Sequence, residues 1–238
     1  MCVDFFSPSR PPSATVPHDP FLLFWCSGLS GFWCTEAVFQ RVEGVRHVSS
    51  GYMGGELANP SYKDVKSKSS GHAEVCRVVY DPAAVSLGEI LEVFFRMHDP
   101  TQVDRQGNDV GPQYRSCIFL TKASDRETAM GAMEKEGGRF QEPLATELKC
   151  VTEMKEAACR FWPAEISHQD YFNTNPTKGY CRFVVHPKLL KVSHPKFQFK
   201  KARRSSDDDQ GQKKEDAYAG AAAATSKITA GYTAGGLS

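Results

Sequence analysis

The strongest constraint on the fold is the stretch 72–80, HAEVCRVVY. His72, Glu74, Cys76, Val78 and Tyr80 fall on one face of a strand, because successive side chains point to opposite sides of a pleated backbone. Asp81-Pro82 ends that strand. Ser86-Leu87-Gly88-Glu89 has the spacing of a capping box, in which a hydroxyl and a carboxylate each satisfy a free backbone N–H. Ile90, Leu91, Phe94 and Met97 then repeat at helical intervals, and Pro100 follows the helix end. A strand with a packed face and a helix with an apolar stripe must bury those surfaces against each other or against further layers.

Other segments extend the pattern. Phe21 to Cys26 is a short apolar run suited to a buried strand. Phe32 to Val42 has apolar residues at 33, 37, 38 and 42, a helical spacing, with Gly44 where a C-terminal cap belongs. Val48–Tyr52, Ser116–Thr121 and Thr146–Cys150 read as strands, and Ser124-Asp125-Arg126-Glu127 as the start of a third helix. The irregular alternation predicts an α+β two-layer sandwich, with a mixed, largely antiparallel open sheet and flanking helices. The folded unit is expected over 21–199. Residues 1–20, rich in Pro and Ser, read as a flexible extension, since Asp4, Asp19 and the lack of a basic amphipathic helix argue against a transit peptide. Residues 200–238 alternate charge runs and end in Ala, Gly, Ser and Thr. They read as a disordered low-complexity tail.

The formal net charge of +1 over 238 residues argues against a chain built to neutralise phosphates. No apolar run reaches the roughly 18 residues that a membrane-spanning helix needs. The eight cysteines stand at 2, 26, 34, 76, 117, 150, 159 and 181 without a C-x-x-C pair, so a four-thiolate zinc module lacks its usual spacing.

Four clusters carry chemistry. Ser30-Gly31-Phe32-Trp33-Cys34-Thr35-Glu36 puts two aromatics at a helix start, where unpaired N–H groups favour an anion. Gly51-Tyr52-Met53-Gly54-Gly55 and Asn59-Pro60-Ser61-Tyr62 give tight turns and a loop hydroxyl. Glu74, on the face shared with Cys76 and Val78, is expected to be desolvated, which raises a carboxyl pKa and prepares it to donate a proton. Asp99 to Arg115 is a long polar loop holding Asp109 and Tyr114. Outside these clusters, His98 reads as a cation at a helix C-terminus. Glu165 and His168 read as structural rather than as half a metal site, and Cys117, Cys150 and Cys159 as inert.

In this order, FWCTEAVFQ, GYMGG, NPSY, GHAEV, HDPT, RQGND, QYRS, AEISHQDY and GYC resemble the peptide methionine sulfoxide reductases of the A type, specific for the S epimer. The resemblance runs from about Leu29 to about Cys181. It implies that Phe32 and Trp33 cradle the substrate methyl group and that Glu74 gives a proton to the sulfoxide oxygen. Tyr62 and Tyr114 would hydrogen-bond that oxygen, Asp109 would orient neighbouring groups, and Cys181 would supply a resolving thiol. It implies thioredoxin as reductant and oxidised methionine-containing proteins as substrates. Charge, hydropathy and cysteine spacing predict no nucleic acid, membrane or metal partner; no cofactor is expected, and the chain is expected to be a monomer in the cytoplasm, with organellar targeting as the weaker alternative.

The family motif is Gly-Cys-Phe-Trp, whereas this chain reads Ser30-Gly31-Phe32-Trp33. Three explanations stay open. Gly31 replaces the nucleophile, leaving a pseudoenzyme that binds oxidised methionine. Alternatively, Gly31 is the family glycine and a residue is missing after it, as when a selenocysteine codon, used by some members, is skipped. In the third and least favoured, Cys34 substitutes from about 5 Å further along the helix. For the chain as written, little or no reductase turnover is expected.

Overall fold

In chain order the strands are β1 (Leu22–Ser27), β2 (Val45–Met53), β3 (Ala73–Tyr80), β4 (Arg105–Gln106), β5 (Asp109–Val110), β6 (Cys117–Leu120), β7 (Glu147–Cys150) and β8 (Trp162–Pro163). Six of them form one sheet in the order β7-β6-β1-β3-β2-β8, and β4 with β5 makes a separate hairpin. The β6–β7 pair is parallel. All other neighbours in the sheet are antiparallel. The expected mixed, largely antiparallel sheet is therefore present. The computed structural model describes residues 22–27 and 31–192, the first of these by backbone alone. Of the two units into which the chain divides, Met1–Phe199 and Lys200–Ser238, every described element belongs to the first. The readings of 1–20 and 200–238 fall outside the described residues.

β3 runs through the middle of the sheet, and its alternation is the one legible in the sequence. Cys76, Val78 and Tyr80 enter the larger core with Val48, Tyr52, Ile118 and Leu120. Ala73 and Val75 point to the other face, into a smaller core with Met53, Cys117 and Phe119. Each such side chain, fully withdrawn from water, contributes about 1.5–3 kcal/mol if it is a large aliphatic or aromatic. Glu74 lies on the larger-core face at 3% exposure, opposite Tyr52 in the β2–β3 register.

The helices cover the larger core. They are α1 (Phe32–Phe39), α2 (Tyr62–Lys66), α3 (Leu87–Met97), α4 (Arg126–Gly137), α5 (Tyr171–Thr174) and α6 (His186–Val192). α3 starts as its sequence predicts: the Glu89 N–H donates to Ser86 Oγ at 3.2 Å and the Ser86 N–H to Glu89 Oε2 at 2.9 Å. Its stripe, Ile90, Leu91, Phe94 and Met97, is buried. α1 is buried more widely than its apolar positions at 33, 37, 38 and 42 account for. Seven of its eight residues are buried, Glu36 among them, so it is enclosed on nearly every side. It ends at Phe39 rather than Val42. Gly44 lies beyond its cap, at φ +85 in the turn into β2, with the Val85 side chain 2.6 Å from where a Cβ would stand.

Three further expectations need correction. Tyr62 is the first residue of α2, not a loop residue, because Ser61 and Asp64 form a second capping box. At the start of α4 the Asp125 side chain makes no capping hydrogen bond, and a short 3-10 turn, Ala123–Asp125, leads in instead. His98 is not a cation: burial lowers its pKa to about 4. The neutral ring bridges Phe94 O at 2.8 Å and Ser116 Oγ at 2.9 Å.

The polar stretch 99–113 is ordered by its own side chains. Asp99 Oδ1 accepts the Thr101 N–H at 3.0 Å, and Gln106 brackets the Asp99 backbone at 3.2 and 2.9 Å. Gln102 bridges Asp99 Oδ2 and the Gly107 N–H, both at 2.8 Å. That lattice holds the β4–β5 hairpin and delivers Asp109 and then Tyr114 to the N-terminal end of α1. Among the described residues no helix is long and apolar enough to cross a membrane.

Candidate functional site

A cleft of about 80 Å3 opens at the start of α1, lined by Gly31, Phe32, Trp33, Tyr62, Glu74, Asp109, Tyr114 and Tyr180. These come from five separate parts of the chain. Seven of the eight residues singled out in the sequence meet there, and Tyr180 is the addition. A larger cavity, about 290 Å3, lies beside β7 against Gly54, Lys149, Cys150 and Met154. Its two lysines are ion-paired with Glu147 and Glu56, so no free charge converges on it.

Glu74 is the centre of the chemistry. Its Oε2 accepts the Phe32 N–H at 3.3 Å, which fixes the carboxyl at the helix N-terminus. Burial pushes its pKa up to about 8; the Phe32 hydrogen bond and Lys66 pull it down, and the Asp109 charge adds to the rise. At neutral pH the group therefore carries a proton in a site largely closed to water, the condition for a general acid. Tyr62 and Tyr114 lie beside it, half-buried. Burial first, then the Glu74 charge, raises both phenol pKa values, so both hydroxyls stay protonated as donors.

The apolar wall is built by stacking. Trp33 lies flat on Tyr171 at 3.8 Å between centroids and 9° between planes, and edge-on to Tyr180 at 5.5 Å. The Phe32 ring packs on Tyr52 at 5.8 Å and His168 at 5.4 Å. The Trp33 indole N–H is buried with no hydrogen-bond partner among the described residues.

Several supports were not legible as such. Glu165 accepts the Tyr52 hydroxyl at 2.8 Å and the Tyr62 N–H at 2.7 Å, and so ties α2 to β2. Both its oxygens are used within the fold, whereas His168 Nδ1 is buried without a hydrogen-bond partner among the described residues; no group of three or more His, Cys, Asp or Glu among those residues could hold a metal ion. Glu36, raised to about 7 chiefly by burial, accepts the Asp170 N–H at 2.9 Å and holds α1 against α5. The Cys76 thiol donates to the Phe32 carbonyl at 3.3 Å, so β3 grips the first turn of α1 from below. In the sequence Glu36 and Glu165 stand out only as members of the FWCTEAVFQ and AEISHQDY motifs, and nothing local marks the contacts that they or Cys76 make.

The described thiols lie apart from the cleft lining. Cys34 and Cys181 are both fully buried. Burial pushes the Cys34 thiol up to about 11, with Tyr180, Lys188 and Cys181 among its neighbours. A thiol held neutral and enclosed is a poor nucleophile, which disfavours Cys34 as a substitute. Burial also raises the Cys181 thiol. Cys117 and Cys150 are buried in strands, and Cys159 is half-buried with its thiol on Glu156 O at 3.2 Å.

Gly31 is the N-cap of α1 at φ +71, and an added Cβ would meet Glu74 Oε2 at 2.9 Å. Left-handed backbone and a crowded Cβ direction are two independent reasons for glycine at this position.

A family model described as peptide methionine sulfoxide reductase matches residues 26–201. The chain is 49% identical over 162 residues to peptide methionine sulfoxide reductase MsrA 1 of Rhodopirellula baltica, covering 68% of this chain and 81% of that protein. It is 51% identical over 165 residues to MsrA of a Psychrobacter species, covering 68% and 89%. Among solved structures, methionine sulfoxide reductase A of Corynebacterium diphtheriae superposes with a TM-score of 0.61 at 30% identity, covering 74% of this chain and 86% of that one. Mxr1 of Saccharomyces cerevisiae in reduced form gives 0.61 at 30% identity, covering 71% and 94%.

Proposed function

The chain belongs to the peptide methionine sulfoxide reductase family, and from that premise we propose that its cleft takes methionine S-sulfoxide with a defined role for each lining group. The methyl group lies against Phe32 and Trp33. The sulfoxide oxygen accepts from the Tyr62 and Tyr114 hydroxyls and receives the Glu74 proton, while Asp109 orients the groups around it. The observation that carries this reading is the buried Glu74 held on the Phe32 N–H beside two tyrosines, where burial raises its carboxyl pKa. A polar oxygen and an apolar methyl group on the same sulfur are then read by opposite walls, which selects one epimer.

The reductive half needs a nucleophile next to this oxygen-binding group. The glycine-type backbone at Gly31 supports the reading in which the reactive residue belongs between Gly31 and Phe32. A cysteine or selenocysteine there attacks sulfur, methionine leaves, and the resulting sulfenic (or selenenic) acid condenses with Cys181 into a disulfide (or selenenylsulfide), releasing water. Thioredoxin restores the pair by thiol exchange. The buried state of Cys181 requires the segment after Gly179 to move for this step. As written, the chain binds the sulfoxide, and no described cysteine lines the cleft to turn it over.

Titrating the chain with a short peptide carrying methionine S-sulfoxide, and separately its R epimer, tests the reading through Trp33 fluorescence. The S epimer is expected to bind, and the R epimer roughly tenfold or more weakly. Equal affinity for both, or none for either, would contradict it.

A further inference from the structure

We infer that Glu36, which does not itself line the cleft, is a positioning residue for sulfoxide recognition: acting through Asp170 and Tyr171, it sets the plane of the Trp33 indole against which the substrate methyl group lies. This rests on the reading of the cleft as a sulfoxide site and adds the group that decides how finely its apolar wall discriminates.

Trp33 has no hydrogen bond to fix it. Its indole N–H is buried without a partner among the described residues, so packing alone orients the ring. Tyr171 lies parallel to it at 3.8 Å and 9°. The other two rings against it are more distant, Tyr180 edge-on at 5.5 Å and His168 at 5.7 Å. The plane of Trp33 therefore follows that of Tyr171, because stacked aromatic pairs hold a defined geometry.

Tyr171 is placed in turn by the residue before it. Asp170 stands at φ +55. That left-handed backbone is unfavourable for a residue with a Cβ and persists only where its surroundings impose it. The imposing groups come from α1. Glu36 Oε2 accepts the Asp170 N–H at 2.9 Å, and one turn later Gln40 Nε2 donates to Asp170 Oδ1 at 3.0 Å. Trp33, Glu36 and Gln40 are spaced by three and four residues and so share one helix face. That face carries both the ring to be placed and the groups that place its partner. Glu36 is 1% exposed, and a hydrogen bond made away from water is electrostatically stronger. Burial raises its pKa, and the Asp170 N–H, the Ser50 hydroxyl and the Tyr171 N–H pull it down, so all three face the carboxylate.

A second anchor makes the effect local. Gln169 Oε1 accepts the Ser50 N–H at 3.0 Å, and its Nε2 donates to the Ser50 and Ala164 carbonyls, both at 2.9 Å. The residue before Asp170 is thus pinned to β2 without Glu36. Loss of the carboxylate frees the Asp170 angle and the Tyr171 ring while the chain stays on the sheet.

The test is calorimetric titration of the full chain and its variants with the S- and R-sulfoxide peptides. Near-UV circular dichroism reads the Trp33 stack, as the difference from Trp33→Phe. Glu36→Ala should cut the preference for the S epimer from roughly tenfold to about threefold or less, and should remove most of the Trp33 dichroism. Glu36→Gln keeps an oxygen for the Asp170 N–H and should stay within about twofold of the unmodified chain. Tyr171→Leu removes the stacked ring directly and should lower the preference as Glu36→Ala does, which keeps the test open if Glu36→Ala does not fold. Ser86→Ala weakens the fold far from the cleft and should change neither readout. An unchanged preference in Glu36→Ala or Tyr171→Leu would overturn the inference and leave the sulfoxide site standing. So would a Glu36→Gln as impaired as Glu36→Ala, or an equal fall in Ser86→Ala, which would reduce the effect to lost stability. No binding of either epimer by the unmodified chain overturns the site reading and this inference with it.

Discussion

Gly31 shows how much one backbone angle can decide. At φ +71, with Glu74 Oε2 2.9 Å from its missing Cβ, it is where a side chain is least tolerated. Gly31→Ala should destabilise the protein by about 1–2 kcal/mol, read as a lower denaturant midpoint. A neutral result would remove the argument that this is a glycine position. The two hydroxyls permit a parallel check. Tyr62→Phe and Tyr114→Phe each delete one donor to the sulfoxide oxygen, and each should weaken S-epimer binding by about 1 kcal/mol, roughly fivefold, with little change in stability. Calorimetric titration of the three proteins measures this. At this scale the sequence is informative: Phe32, Trp33, Tyr62, Glu74, Asp109 and Tyr114 stand in the motifs that resemble the family, and all line one cleft. Tyr180 entered only as part of the matched GYC motif, and its place against Trp33 depends on a chain reversal that no local pattern encodes.

Elements place these residues, and their sequence signals differ in reach. α3 was legible because its capping box and its stripe are local: Ser86 to Glu89 spans three residues, and both hydrogen bonds form. Ser86→Ala should cost about 1 kcal/mol of stability and leave sulfoxide binding unchanged, as thermal unfolding and titration of the same sample would show. α2 is held differently. Its first N–H donates to Glu165, 103 residues away, and the other carboxylate oxygen takes Tyr52. No spacing rule finds such a pair. Glu165→Ala should loosen Tyr62, lowering S-epimer affinity severalfold, and Glu165→Gln should recover part of it because the amide oxygen can still accept one of the two bonds. α1 is legible as a helix from its apolar spacing, but its enclosure is not: tertiary packing surrounds it and buries Glu36 with it. The same enclosure keeps His98 neutral, although its position at a helix end alone suggested a cation.

Across the whole molecule, buried titratable groups set a pH profile. Glu36 and Glu74 have folded pKa values raised to about 7 and about 8, so the stability they favour is present at low pH and is lost as pH rises through those values. His98, lowered to about 4, and His72, also lowered by burial, act with the opposite sign: their contribution is present above about 6.5 and is lost as pH falls. The two effects oppose each other in mild acid, whereas above about pH 6.5 only the carboxyls remain. Thermal stability should therefore fall from about pH 6.5 to 8.5, on the order of 2 kcal/mol, and Glu36→Gln with Glu74→Gln should flatten that decline. The central claim, that this fold is a sulfoxide reductase site whose reactive position lies between Gly31 and Phe32, is tested most directly by two variants. One inserts a cysteine between those residues and the other is Gly31→Cys. Each is pre-reduced, freed of thiol and given methionine S-sulfoxide peptide in excess. The insertion should release about one equivalent of methionine promptly, and Gly31→Cys should be at least roughly 100-fold slower, because its sulfur starts from a strained backbone in the wrong place. A prompt equivalent from Gly31→Cys and none from the insertion would contradict the account.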